Sequence, residues 1–456
     1  MPPFRKPRRT KIIATLGPAT DEPDVLEKLI KAGVDVVRLN FSHGHADEQR
    51  KRVQAVRDLS EKLGRHVGIL ADLQGPKIRI ARFEDGKVSL QEGAKFTIDV
   101  ALASTAGDIT QVGCDYKPLA NDVTEGDRLL LDDGRIVLDV EAVKGSKIKC
   151  TVVVGGILSN NKGINLQGGG LSANALTDKD KQDIKTAAEM RVDFVAVSFP
   201  RSAEDMHQAR ALVKAAGSQA HLIAKIERAE ALDVLEEIVD ASDAVMVARG
   251  DLGVEIGDAN LPPVQKHIIR MARDRDTVVI TATQMMESMI NNAIPTRAEV
   301  FDVANAVSDG TDAVMLSAET SVGQYPVQTV EAMGRICEQT ERQPRTTRSR
   351  HRMGKAFGQI DESGGTPRMM SRISSGIPIF AMAPNSEVCR RMTLYRGVVP
   401  ILLKAPLGHA KDVNEAAITK LQQLEIVAKG DLVIITAGEL TGQHGGTDTM
   451  KIKKVE

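Results

Sequence analysis

The sequence predicts an α/β protein: a (β/α)8 barrel, a small β-barrel domain inserted into it, and a C-terminal α/β domain. Three observations support this. Short runs rich in Val, Ile and Ala alternate with amphipathic stretches, the pattern of βα units around a buried parallel sheet. The alternation is interrupted once, and a separate set of apolar runs follows residue 345. A chain of 456 residues is long enough for two or three domains.

Eight apolar runs are candidates for the barrel strands. Gly33, Gly64 and Gly310 each follow a helical pattern, and glycine suits the left-handed residue that closes a helix. Prolines begin a further helical pattern at 262–275, where a missing N–H costs little. Strands alternating with helices through right-handed crossovers predict a TIM barrel. The eight runs are 10–17, 34–42, 66–73, 193–199, 221–227, 243–251, 277–284 and 312–320.

The interruption falls at residues 76–174, where short strands of alternating polarity are separated by turns containing Gly and Asp. This predicts a β-barrel domain inserted between residues 1–75 and 175–345, the two parts of the larger barrel. Three glycines at 168–170 mark its return point, and they suit a hinge or a plain tight turn equally. Residues 346–456 are expected to form the third domain.

Composition excludes several classes of function. Lys plus Arg total 60 against 61 Asp plus Glu, so no overall field attracts nucleic acid or a membrane. The Arg-rich stretch 341–355 is typical of a solvated linker. The four cysteines form no CxxC pair, which disfavours a disulfide framework or a zinc site. The basic start lacks the apolar stretch of a secretory signal, and no apolar run is long enough to span a bilayer. A cytoplasmic location is therefore expected.

Polar side chains cluster at the carboxyl ends of the predicted strands. Burying a polar group without a partner costs free energy, so polar side chains at the ends of strands that are buried on both faces call for an explanation. Active sites of such barrels are built at this end. A period of two places alternate residues of a strand on one side. The residues are Arg38, Asn40, Ser42, Asp72, Lys225, Glu227, Arg249, Gly250, Asp251, Thr283, Gln284, Ser317 and Glu319.

The residue types indicate a chemistry. Glu227 and Asp251, from adjacent strands, suit Mg²⁺, which takes few protein oxygens and keeps room for water and phosphate. Lys225 and Arg38 beside that ion would supply the positive charge that a transferring phosphoryl group requires. Gly250 would let backbone N–H groups approach an anionic ligand. The pattern therefore predicts Mg²⁺-assisted handling of a phosphorylated anion and does not identify the substrate.

Structural explanations exist for single residues. Arg38 could pair with Asp72 and Lys225 with Glu227, but polar groups at five strand ends at once favour a functional site. His43 and the neighbouring His45 could suggest a metal cluster, yet no third ligand is placed.

Several segments resemble the signature segments of pyruvate kinases, in the family's order and near its spacing. They are TKIIATLGPAT, VRLNFSHG, DLQGPKIR, AKIER, VARGDLGVE, TATQMMESM, PTRAEVFDVANAVSDGTDAVMLSAET and LYRGVVP. The resemblance covers almost the whole chain. It implies transfer of a phosphoryl group from phosphoenolpyruvate to ADP, the final step of glycolysis, with Mg²⁺ or Mn²⁺. It further implies a mobile lid formed by the inserted domain, a homotetramer, and a phosphorylated allosteric effector bound by the third domain.

The resemblance also implies roles for individual residues. Glu227 and Asp251 would bind Mg²⁺, Lys225 would stabilise the phosphoryl group during transfer, and Arg38 would contact the phosphate. The substrate carboxylate would be held by Thr283 and by the backbone of Gly250 and Asp251. Protonation of the enolate would be assisted by Thr283, Ser317 and Glu319. The nucleotide would be contacted by Asn40, His43, Arg79 and Lys162.

The chain departs from the family pattern at a monovalent-cation site. Members that need K⁺ bind it through residues matching Asn40, Ser42, Asp72 and the carbonyl of Leu73, with an acidic residue nearby. That acidic position is Lys77 here. An ammonium group could replace the cation, so the resemblance to the Lys-bearing subgroup predicts little dependence on K⁺.

A second departure lies in the third domain. The chain is shortened near 361–363, directly before a segment that resembles the family's effector-phosphate loop, in which hydroxyl and N–H groups hold a phosphate. This loop comprises Ser363, Gly364, Gly365 and Thr366. The shortening leaves allosteric response and tetramer assembly open.

Two other functions are open to a sequence of this kind. One is a Mg²⁺-dependent lyase acting on phosphoenolpyruvate or pyruvate, but a lyase has no nucleotide for Arg79 and Lys162 to hold. The other is a regulatory relative that binds ligand without turnover, which would be expected to lack Lys225, Glu227 or Asp251.

Overall fold

A computed structural model describes residues 7–347, 365–373, 376–403, 410–438 and 447–456 of the chain. The strands of this part are β1 (Lys11–Thr15), β2 (Val36–Asn40), β3 (Gly68–Asp72), β4 (Lys87–Leu90), β5 (Lys95–Asp99), β6 (Gln111–Gly113), β7 (Arg128–Leu131), β8 (Ile136–Lys144), β9 (Lys147–Val154), β10 (Gly156–Ser159), β11 (Ile164–Leu166), β12 (Phe194–Val197), β13 (His221–Ile226), β14 (Ala244–Ala248), β15 (Val278–Ala282), β16 (Ala313–Leu316), β17 (Ile379–Ala383), β18 (Val398–Leu402), β19 (Leu432–Gly438) and β20 (Thr447–Lys454). The α-helices are α1 (Pro23–Ala32), α2 (Ala46–Leu63), α3 (Leu119–Asp122), α4 (Asp178–Glu189), α5 (Ala203–Ala215), α6 (Leu235–Asp240), α7 (Arg249–Ile256), α8 (Leu261–Asp274), α9 (Arg297–Asp309), α10 (Ala318–Ser321), α11 (Pro326–Glu341), α12 (Gly365–Arg372), α13 (Ser386–Met392) and α14 (Ala410–Gln423).

Eight parallel strands close into the predicted barrel. Their order around it is β1, β2, β3, β12, β13, β14, β15 and β16, with β16 pairing back to β1. Each lies within one of the eight apolar runs, so this part of the fold prediction is confirmed. The helices α1, α2 and α9 end at Gly33, Gly64 and Gly310, which all have positive φ, as expected for glycines that close helices.

The barrel interior changes from apolar to charged along the strands. Val36, Leu70 and Ile223 lie in a buried apolar cluster inside the barrel. Two positions further on, the same sides of β2, β3 and β13 carry Arg38, Asp72 and Lys225, because alternate residues share a side. The carboxyl end of the barrel is therefore the polar end.

The inserted region consists mainly of β-strands, as predicted, with the short helix α3 between β6 and β7. Its hydrogen bonds form a six-stranded sheet in the order β11, β7, β8, β9, β5 and β6, beside the pair β10 and β4. Phe96, Ile98 and Leu138 are among the side chains of its own apolar core. The short strands β6, β10 and β11 were not predicted, since three or four residues show too little alternation to be recognised. The exact domain boundaries at 75, 174 and 345 stay predictions.

The C-terminal region packs against the amino end of the barrel. The strands β17 and β18 form a parallel pair, and β19 and β20 an antiparallel pair. Met392 and Tyr395 join the apolar cluster of the barrel interior. Arg372, at the end of α12, forms a buried ion pair with Asp312, which directly precedes β16. Of the predicted effector loop, Gly365 and Thr366 begin α12, whereas Ser363 and Gly364 lie outside the described residues.

In the described ranges, none of the helices combines the length and the apolar character that crossing a bilayer would require.

Candidate active site

Four charged side chains meet inside the carboxyl end of the barrel. Lys225 Nζ lies 2.9 Å from Glu227 Oε1 and 3.3 Å from Asp72 Oδ1. Arg38 Nε donates to Asp72 Oδ2 at 2.6 Å. The side chains of Asp72 and Glu227 are 1 % and 3 % exposed. The structure thus brings together residues from β2, β3 and the end of β13. The pairs Arg38–Asp72 and Lys225–Glu227, which the sequence analysis considered separately, belong to one network.

The network fixes the charge of its members. Burial opposes ionisation of Asp72, but Lys225 and Arg38 lower the pKa of Asp72 below its ordinary value. Burial also works against the ammonium of Lys225, yet Asp72 and Glu227 raise the pKa of Lys225. An ammonium between two carboxylates is therefore held in its protonated form at neutral pH.

Glu227 is in a different position. Burial raises the pKa of Glu227, Lys225 counteracts this, and the nearby carboxylate of Asp251 raises it again. A buried carboxylate whose charge is disfavoured by a second carboxylate nearby is a donor that a divalent cation would stabilise. Glu227 and Asp251 therefore fit Mg²⁺. Within the described residues no group of three or more His, Cys, Asp and Glu is arranged to hold a metal ion, so water and substrate would have to complete the coordination.

Ser198 was missed by the sequence analysis. It follows β12, and its Oγ accepts from Lys225 Nζ at 2.7 Å and donates to the carbonyl of Leu73 at 2.7 Å. The next backbone N–H, that of Phe199, donates to Glu227 Oε2 at 2.9 Å. The signal was available, because a serine after a buried run is the same pattern that identified the other strand ends.

Lys77 lies beside the second carboxylate. Its Nζ is 3.0 Å from Asp251 Oδ1 and 4.0 Å from Asp133 Oδ1 of the inserted domain. Burial lowers the pKa of Lys77, but Asp251 outweighs this and the net shift is upward. Among the described residues, Lys77 forms no ion pair with Asp72. Lys77 therefore points to Asp251 and does not lie between Asn40, Ser42 and Leu73, the other residues that the resemblance assigns to K⁺.

The turn after β15 is held by Arg249. Thr283 and Gln284 both have positive φ, which is uncommon for residues other than glycine. Arg249 donates through Nε to the carbonyl of Thr283 at 3.1 Å and pairs with Asp302 Oδ1 at 2.7 Å. A Cβ at Gly250 would lie 3.0 Å from Thr283 Cγ2, so glycine permits the close approach of the two loops. The sequence analysis assigned Arg249 no role beyond its position at a strand end.

Ser317 and Glu319 follow β16, as predicted, but Glu319 is turned to the backbone. Its Oε2 accepts from Ser317 N at 2.6 Å and its Oε1 from Met286 N at 3.3 Å. Burial raises the pKa of Glu319, which is 2 % exposed. The carboxyl group thus braces the loops after β15 and β16.

The predicted nucleotide residues form two separate groups. On the inserted domain, Arg79 Nη1 donates to the carbonyl of Asn161 at 2.9 Å, and Lys162 Nζ lies 2.7 Å from Asp132 Oδ1. On the barrel, Asn40 Oδ1 accepts from the N–H of Ser42 at 3.0 Å, and His43 is the next residue. In the described ranges no hydrogen bond or ion pair joins the two groups.

Family models match most of the chain. The model for the barrel domain of pyruvate kinase matches residues 7–330. The model for the alpha/beta domain of pyruvate kinase matches residues 349–453.

Similar proteins extend over the full length. A pyruvate kinase II of Salmonella typhimurium is 52 % identical over 479 aligned positions, which cover 99 % of this chain and 100 % of that protein. A pyruvate kinase of Haemophilus influenzae is 52 % identical, with 98 % of each chain covered. A pyruvate kinase of Mycobacterium tuberculosis is 42 % identical, again over 98 % of each. Since 479 positions exceed the 456 residues of this chain, the first alignment contains gaps in it, in keeping with a shortened segment. The chain therefore belongs to the pyruvate kinase family, and its activity is that of a glycolytic pyruvate kinase.

Proposed function

We propose that the polar end of the barrel moves the phosphoryl group of phosphoenolpyruvate onto ADP, giving pyruvate and ATP, with Mg²⁺ held by Glu227 and Asp251. The observation that carries this assignment is the position of Lys225. Its ammonium lies between Glu227 and Asp72 and is buried with them. A fixed cation next to a pair of metal-binding carboxylates is what a transferring phosphoryl group requires.

The phosphate end of the substrate is held by cations of the chain. Arg38 is fixed by Asp72 Oδ2 and by Thr15 Oγ1, which accepts from its Nη1 at 3.1 Å. Lys225 and Arg38 thus place two positive charges at this end of the barrel, and Asp72 holds both before the substrate binds. Bound Mg²⁺ supplies further positive charge to the phosphoryl oxygens.

The carboxylate end of the substrate is assigned to Thr283 and to the backbone at Gly250 and Asp251. The absence of a side chain on Gly250 leaves its N–H open to an anion at the start of α7, where the helix dipole also favours negative charge. Thr283, Ser317 and Glu319 assist protonation of the enolate; in this assignment Glu319 acts by orienting the loops that it braces.

The nucleotide is assigned to Asn40, His43, Arg79 and Lys162, with the inserted domain as a lid. Arg79 and Lys162 lie on that domain, so its approach to the barrel would bring their charges to the phosphates of ADP. Closure would also exclude water, which directs the phosphoryl group to ADP rather than to hydrolysis.

Little dependence on K⁺ is proposed, because the ammonium of Lys77 places a positive charge beside Asp251. The upward shift of its pKa keeps the ammonium protonated at neutral pH. Of the residues that the family resemblance assigns to K⁺, Asp72 is already paired with Arg38 and Lys225, and the carbonyl of Leu73 accepts from Ser198.

Assembly as a cytoplasmic homotetramer with a phosphorylated effector is likewise proposed. Two exposed apolar surfaces support self-association, since large patches of this kind mark interaction sites. On the barrel, the side chains of Ile294, Phe301 and Val322 are 76 %, 69 % and 59 % exposed. The other lies on one face of the pair β19 and β20, where alternate positions carry Leu432, Ile434, Met450 and Ile452.

A coupled assay of pyruvate formation tests the proposal. Pyruvate should form from phosphoenolpyruvate only when ADP and Mg²⁺ are both present, and Lys225→Met should abolish it. Lys28→Met is the matched control, because Lys28 is 58 % exposed in a surface pair with Asp24. Pyruvate formed without ADP, or an unaffected Lys225→Met enzyme, would overturn the assignment.

A further inference from the structure

Glu255 joins the inserted domain to the barrel. It lies in α7 and is 5 % exposed. Its Oε2 accepts from the N–H of Ala229 in the barrel at 2.9 Å, and its Oε1 accepts from Asn165 Nδ2 in β11 at 3.3 Å. Its backbone carbonyl accepts from the N–H of Gly168 at 3.0 Å. One residue of the barrel thus contacts both the last strand of the lid and the turn that follows it.

The glycine turn rests on the same part of the barrel. The three residues 168–170 all have positive φ, and a Cβ at Gly169 would overlap Glu230 Oε2. The N–H of Gly170 donates to that oxygen at 3.3 Å. Arg228 Nη1 donates to the carbonyl of Leu171 at 2.8 Å. The turn between lid and barrel is therefore docked on charged side chains and on backbone, and its positive φ angles favour glycine.

The contacts of Glu255 lead to both proposed metal ligands. Glu255 is four residues after Asp251, one turn along α7. Ala229, whose N–H donates to the carboxylate of Glu255, is two residues after Glu227. Glu255 thus links the lid strand to the two segments that carry the proposed metal-binding side chains.

We propose that Glu255 is a positioning residue that latches the returning lid strand onto the loops of Glu227 and Asp251. This rests on the proposed function for the role of those two residues. The latch couples the placement of the lid, with the nucleotide-binding Arg79 and Lys162, to the placement of the metal site.

The latch responds to protons. Burial raises the pKa of Glu255 to about 7, and Glu230 adds to the shift, whereas the N–H of Ala229, Asn165 and Arg228 oppose it. The other charged groups lining the cleft are Lys77 and Asp251. If the lid strand moves away and water reaches the carboxyl group, its pKa falls towards the ordinary 4.5. The protonated form therefore favours the latched arrangement, and raising the pH from about 5 to about 8 favours release.

Hydrogen exchange of the full chain tests the latch without any need for turnover. The measured segment is residues 164–171, at pH 6 and pH 8, with rates corrected for intrinsic exchange. Protection in the wild type should fall by up to about tenfold between these pH values. Glu255→Gln, which cannot ionise, should remove this dependence. Glu141→Gln, an exposed carboxylate of the lid that pairs with Lys95, should behave as the wild type.

The outcomes separate the latch from the proposed function. The latch is overturned if hydrogen exchange in Glu255→Gln depends on pH as strongly as in the wild type, or if exchange in the wild type does not depend on pH. Either result would count even if the enzyme is active. A second variant, Asn165→Leu, removes the partner on the lid. This variant should exchange faster in residues 164–171 at both pH values. Its KM for ADP should rise about tenfold, which corresponds to the free energy of one hydrogen bond to a charged group. Its KM for phosphoenolpyruvate should stay within about twofold of the wild type. An equal rise in both KM values would overturn the coupling to the nucleotide.

Discussion

The ammonium of Lys225 lies 2.9 Å from the carboxylate of Glu227, although the two side chains are only 12 % and 3 % exposed. The two residues are separated by one position at the end of β13, so the strand places both on the same side. A buried pair of this kind is held in one geometry before any ligand arrives. The cation and one of the proposed metal ligands are therefore positioned by the same strand.

Lys77→Glu should create a requirement for K⁺. The wild-type enzyme is expected to keep at least about half of its rate in K⁺-free buffer, since Lys77 supplies the charge. Replacing this ammonium with a carboxylate leaves three acidic groups near the metal site, and a second cation is then needed to balance them. Initial rates in Na⁺ and K⁺ buffers would show this. Only a trace of wild-type activity without K⁺ would contradict the idea.

Gly250→Ala should impair use of phosphoenolpyruvate. The new Cβ would lie 3.0 Å from Thr283 Cγ2, so either α7 or the turn after β15 has to shift. We expect kcat/KM for phosphoenolpyruvate to fall by about 10- to 100-fold, as for other small displacements of positioning groups. Gly334→Ala, in α11 with open space around it, is the matched control and should be neutral or slightly stabilising. Steady-state kinetics in which both variants match the wild type would refute the close approach.

Arg372→Met should destabilise the contact between the third domain and the barrel. Arg372 and Asp312 are 2 % and 1 % exposed, so the substitution leaves a buried carboxylate without its cation, at a cost of about 3–5 kcal/mol. Arg128→Met breaks an exposed pair with Asp139 and should cost at most about 1 kcal/mol. Urea denaturation compares them. Similar losses in the two variants would argue against a tight interdomain ion pair.

Glu255→Gln should stabilise the protein more at pH 8 than at pH 5. The pKa of Glu255 is raised to about 7 in the fold from an ordinary 4.5, so the native protein loses stability as the pH rises from about 4.5 to about 7, and glutamine avoids this loss. The gain at pH 8 should be about 1–3 kcal/mol, measured as a shift of the thermal midpoint. Glu141→Gln should show no such increase with pH, and the prediction fails if it does.

The barrel strands were predictable because burial on both faces leaves continuous apolar runs, such as VVITA in β15. Their polar ends were predictable for the same reason, since Asp72 or Lys225 stands out after such a run. Ser198 was overlooked because, unlike Ser42 and Ser317, it has no other polar side chain beside it at the end of its apolar run. The part played by Arg249 depends on the carbonyl of Thr283, and Glu255 acts between residues that are far apart in sequence. Contacts of this type are set by tertiary packing, which leaves no periodic trace in the chain.

Met392 and Tyr395 of the third domain close the amino end of the barrel by packing into the cluster that includes Leu70 and Phe194. In the described residues, apolar side chains fill the amino end, and the polar end faces the inserted domain. If the inserted domain moves as the proposed lid, both substrates and both products pass the same domain. A slow lid would therefore limit how quickly the enzyme can empty as well as how quickly it can fill.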